Sequence, residues 1–116
     1  MQDRRRTKRR FLMYYSRIYD TSTETLVGQL GDITPLGLMI ISDASLPVDK
    51  LFTLKIELSA EVSDRPDFTV NARSLWCQPD VAPGIYNTGF ELINPSVESL
   101  EIIQHIVDNF GFRDNG

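Results

Sequence analysis

What most constrains the fold of this chain is a hydrophobic rhythm that repeats every second residue through most of its length and changes once, near the end. In "LFTLKIELS" (51–59) the apolar residues Phe52, Leu54, Ile56 and Leu58 alternate with Thr53, Lys55 and Glu57. A two-residue period places such side chains on one face of a strand. "DFTVNARSLWCQ" (67–78) continues the pattern through Phe68, Val70 and Ala72, with Leu75 and Trp76 as further candidates for the same face. "FLMYYSRIY" (11–19), "TLVGQLGDI" (25–33), "GLMIIS" (37–42) and "GIYNTGFELI" (84–93) are rich in β-branched and aromatic residues, and turn signals such as "TPLG" and "PDVAPG" separate these runs. Six short strands with no helix between them predict an antiparallel barrel or sandwich.

The change comes in "NPSVESLEIIQHIVDNFGF". There Val97, Leu100, Ile103, Ile106, Val107 and Phe110 recur at helical spacing, with Glu98, Glu101, Gln104, His105 and Asp108 opposite. This predicts an amphipathic helix over about 95–110. Asn94 can cap it, Pro95 suits its first position and Gly111 can close it. At 116 residues and 41% hydrophobic content the chain has enough for one modest core. The expected architecture is a single all-β domain, a six-stranded antiparallel Greek-key barrel over 11–116 with the C-terminal helix packed on one opening. Met1 close before the charged run fits a complete small protein and a piece cut at a domain edge alike.

Charge is distributed unevenly. The first ten residues hold six basic and one acidic side chain, a net +5, whereas the other 106 hold six basic and fifteen acidic, a net −9. "RRRTKRR" (4–10) accounts for the excess, and its mutual repulsion predicts a flexible basic segment over 1–10. An acidic body disfavours DNA or RNA, whose binders extend a basic footprint over a face. The asymmetry favours a local site for a small anion. One cysteine, Cys77, and one histidine, His105, cannot assemble a structural zinc site or an internal disulfide, so no metal is expected and a cytoplasmic setting fits. The apolar run after the arginines breaks after five residues, too short for a signal peptide or a membrane span.

Two short elements carry the chemistry. One is R-x-x-x-R within the basic run, satisfied by Arg6 with Arg10 and equally by Arg5 with Arg9. The first register is favoured because Arg10 abuts the strand that begins at Phe11. The other is "DITPLG" (32–37), a turn between two strands in which Gly37 can take a positive φ or permit close approach. Either alone reads as a charged tail or an ordinary turn. Together, in this order and followed by the Trp76 strand, "TGFELI" and a terminal helix, they resemble the PilZ domain family of bacterial cyclic di-GMP receptors, over nearly the whole chain.

The resemblance implies a split barrel, no enzymatic activity, no cofactor, and cyclic di-GMP as ligand, bound by Arg6, Arg10, Asp32, Thr34 and Gly37, with Arg5 and Arg9 as the alternative register. Thr34 departs from the family's usual serine, keeping the hydroxyl with a stiffer χ1. The chemistry is coherent, since arginine forks match both phosphate and the guanine O6/N7 edge. A ligand that ordered the N-terminus would change the surface shown to a protein effector. Trp76 is read as a core or barrel-mouth aromatic, His105 as a solvated helix residue, Cys77 as a quiet strand residue, and Tyr14, Tyr15 and Tyr19 as barrel filling. A small-barrel binder of single-stranded nucleic acid and a docking module without ligand are the alternatives; no catalytic constellation is readable.

Overall fold

The computed structural model describes residues 16–110. Arg5, Arg6, Arg9 and Arg10, the expected flexible arm, and the start of the first expected strand lie outside them. Six strands follow in chain order: β1 (Arg17–Asp20), β2 (Thr25–Thr34), β3 (Gly37–Ser42), β4 (Leu51–Glu57), β5 (Asp67–Pro79) and β6 (Tyr86–Leu92). One helix, α1 (Val97–Phe110), follows them among the described residues. All pairings are antiparallel, and the strands close in the order β1-β2-β3-β6-β5-β4. The long β3–β4 connection therefore passes two strands, as a Greek key requires.

The alternation read from the sequence is the barrel interior. Phe52, Leu54 and Ile56 on β4, Phe68, Val70 and Ala72 on β5, and Ile18, Ile33, Leu38, Ile40 and Phe90 are all buried in one cluster. On β5 the rhythm fails after Ser74. The register between β5 and β6 slips between Ser74 and Trp76, so an extra residue is accommodated and the following side chains are re-aimed. Leu75 and Trp76, the further candidates for the core face, are 52% and 40% exposed. Ser74 takes the interior place, its hydroxyl donating to the Pro47 carbonyl oxygen at 2.7 Å and accepting from the Lys50 amide at 3.1 Å.

The helix packs on β2 and β5 through Ile103 and Ile106, both fully buried, with Ile102 and Val107 at the margin. Its cap is Ser96, whose Oγ accepts from the Ser99 amide at 3.0 Å. Asn94, expected in that role, instead turns the chain with φ of 47°, a conformation asparagine tolerates better than most residues. Val97, expected on the apolar face, is largely exposed because it precedes the first turn that meets the barrel.

Candidate functional site

The "DITPLG" hexapeptide forms the β2–β3 hairpin, and its local chemistry fixes its shape. Thr34 Oγ1 accepts from the Leu36 amide at 3.1 Å and the Gly37 amide at 3.3 Å. That closes the two-residue loop as a threonine turn. The Leu36 carbonyl oxygen accepts from the Leu92 amide at 2.9 Å, tying the tip to β6. Gly37 is required for approach and not for a positive φ: a Cβ there would overlap the Phe90 carbonyl oxygen. Asp32 Oδ1 accepts from the Ile33 amide at 2.9 Å; this orients the carboxylate and leaves it further acceptor capacity.

Register sets what faces this turn. Asp32 pairs with Met39, Met39 with Gly89, and Gly89 with Trp76. These four residues form one row across β2, β3, β6 and β5, three inter-strand spacings or roughly 14 Å long. Both ends of the row follow an irregularity: the β2–β3 register slips between Leu30 and Asp32, and the β5–β6 register between Ser74 and Trp76. Each slip turns an end residue towards the outer face of the barrel.

The result is an open groove of about 270 Å³, with the hairpin (Asp32, Thr34, Gly37) as one wall, Leu75 and Trp76 as the other, and Met39 and Gly89 on the floor. Three of the expected site residues are thus brought together. Trp76 is the addition that alternation hid, and the signal for it was the adjacent pair Leu75-Trp76 after Ser74, which breaks the two-residue period. The groove is apolar apart from the hairpin, and Asp32 is the one charged group in its described lining. Three further concavities, beside Tyr19 and Lys55, between Arg65 and His105, and along Val27 and Ile41, hold none of the motif residues.

A family model for the PilZ domain matches residues 3–109. The chain belongs to the PilZ domain family. No curated protein matches the sequence. Three solved structures share the fold at low identity. The PilZ domain of Escherichia coli YcgR with c-di-GMP superposes with a TM-score of 0.66 at 15% identity, covering 94% of this chain and 92% of that one. The Bacillus subtilis inhibitor of motility MotI/DgrA gives 0.67 at 14% identity, covering 93% of this chain and 51% of that one. E. coli YcgR in complex with c-di-GMP gives 0.64 at 16% identity, covering 93% and 46%. This PilZ chain therefore spans about half the length of the latter two proteins. Among its described residues no helix is long and apolar enough to cross a membrane, and no cluster of three or more metal-ligating side chains occurs.

Proposed function

We propose that this PilZ domain is a non-catalytic receptor for cyclic di-GMP that signals to a protein effector. The observation that carries the reading is the convergence of Asp32, Thr34 and Gly37 with the half-exposed Trp76 in one groove. The apolar ring suits the face of a guanine, whereas the Asp32 carboxylate suits its N–H donors. A groove whose described lining carries one negative charge and no positive one needs cations from elsewhere to hold a dianion, and the basic run can provide them.

Its reach is sufficient. Ser16, the first described residue, is held on the barrel: its carbonyl oxygen accepts from the Leu30 amide at 2.8 Å and its Oγ donates to the Glu57 carbonyl oxygen at 2.6 Å. Leu30 lies two residues before Asp32 on β2, roughly 7 Å along the strand. Arg10 stands six residues upstream of Ser16, a span of at most about 20 Å. Arg6 and Arg10, or Arg5 and Arg9, therefore supply the forks for phosphate or guanine O6/N7, and the ligand draws the basic segment against the groove. That change in the surface is what an effector reads. The known c-di-GMP complexes of YcgR and the motility role in the name of MotI/DgrA support both halves of the proposal.

Calorimetric titration of the purified chain with cyclic di-GMP tests it. Saturable binding that mononucleotides do not compete away is expected. Absence of heat and of saturation overturns the reading, and displacement by a short single-stranded RNA at physiological salt would favour the nucleic-acid alternative to which an exposed aromatic on an open strand face also lends itself. Hydrogen exchange in residues 4–16 should slow on ligand addition; unchanged exchange there removes the ordering step and keeps the binding.

A further inference from the structure

Gly89 lies at the centre of the groove floor, and its place in the row is unusual for what it lacks. A Cβ built on it would sit within 2.6 Å of the Trp76 ring atom Cζ2 and closer still to Cε2 and Nε1. The indole therefore rests against the β6 backbone, on space that any other residue would fill. Its position has two causes: the β5 irregularity, which sends Trp76 outward, and the bare Gly89, which lets the ring settle inward again as far as the backbone. Neither is a demand of the core. Trp76 is 40% exposed, and Gly89 has no left-handed φ that would call for glycine.

We propose that Gly89 is a positioning residue for ligand recognition: it seats the Trp76 ring as a fixed shelf on which one guanine face of the dinucleotide stacks. The inference rests on the receptor reading above and adds a residue and a mode of selectivity to it. Asp32, at the other end of the row, reads hydrogen-bond donors, while the seated ring selects for a flat aromatic base. Inorganic phosphate has nothing to offer that wall. Leaving glycine at position 89 costs the strand some stability, because glycine is a weak strand former; a seated ring is the return for it.

Gly89→Ala is the direct test. The atoms that must give way belong to a half-exposed side chain and not to backbone, so the ring should swing out while the barrel stays folded. Trp76 is the only tryptophan, which makes its emission a private report of the pose: in Gly89→Ala it should shift to the red and become more accessible to acrylamide. The melting temperature should move by no more than a few degrees. Affinity for cyclic di-GMP should fall about ten- to a hundredfold, the range expected for losing one base–aromatic stack. Trp76→Ala should lose a similar factor, and Gly89→Ala added to Trp76→Ala should cost nothing further, since a positioning residue acts only through the ring it positions.

Gly89→Ala binding as tightly as the unsubstituted chain overturns the proposal, as does an additive loss in the double variant. Should Gly89→Ala not fold, Trp76→Ala alone decides: unchanged affinity there removes the shelf. If the unsubstituted chain itself does not bind cyclic di-GMP, the receptor reading falls and takes the stacking role with it. Binding by the unsubstituted chain together with indifference of both variants removes the shelf alone.

Discussion

At Gly37 the Phe90 carbonyl oxygen of β6 occupies the space a Cβ would need. Unlike the Trp76 ring above Gly89, that oxygen belongs to a strand paired on both sides and cannot step aside. Gly37→Val should therefore destabilise the barrel by about 2 kcal/mol or more, as overpacking against fixed atoms does, and thermal melting should drop clearly; a variant that melts like the parent would show β6 to be more yielding than its pairing implies. Asp32 is the opposite case, half-buried on a hairpin with one local hydrogen bond. Asp32→Ala should leave melting nearly unchanged while weakening cyclic di-GMP, and unchanged affinity would take the hairpin out of the site. For the arginines the informative change preserves charge. Arg10→Lys replaces a planar five-donor fork with a point-like ammonium, so a bidentate contact should lose about 1–3 kcal/mol. Arg4→Lys, outside both registers, should be nearly silent. Equal small effects at the two positions would return the run to a charged tail, and a loss at Arg9 in place of Arg10 would correct the register.

The elements that build the groove are strands interrupted at chosen points. β5 runs 13 residues from Asp67 to Pro79, long enough to line the core with its first half and the outer groove with its second, and the slip after Ser74 is the hinge between these duties. Ser74 stabilises that hinge from inside by bonding the β3–β4 connection at Pro47 and Lys50. The helix packs on β2 and β5, and its first turn depends on Ser96. Ser96→Ala should cost about 1 kcal/mol, the usual value of a lost N-cap, read as a lower melting temperature with cyclic di-GMP affinity retained. A loss as large as that of a buried core residue would mean that the Ser96 hydroxyl does more than cap the first turn.

For the whole molecule, the decisive property is the separation of a +5 head from a −9 body. In the proposed receptor the barrel would provide shape and one acceptor and the head the cations, so binding a dianion would join two parts of opposite net charge. Such binding should weaken as salt rises, because part of it is screened attraction. Titrations at low and physiological ionic strength should show this slope, and Arg10→Ala should flatten it. A slope that survives that change would point to the other arginines of the run.

Sequence by itself determined the strand faces and the single helix, because period-two and period-3.6 burial are written residue by residue: Phe52, Leu54, Ile56 and Ile103 needed no partner to be recognised. It also determined the "DITPLG" hairpin, since turn chemistry is local. Tertiary structure decided the rest. Trp76 stayed between core and barrel mouth because alternation cannot see an extra residue accommodated between paired strands, and that slip exists only relative to β6. The capping role expected of Asn94 fell to Ser96 because a cap is defined by where the following amides point, which packing of Ile103 and Ile106 on the barrel sets. The meeting of Asp32 with Trp76, 44 positions apart, lay beyond any local pattern: it follows from the strand order β2-β3-β6-β5, and only closure of the barrel fixes which residues share a row.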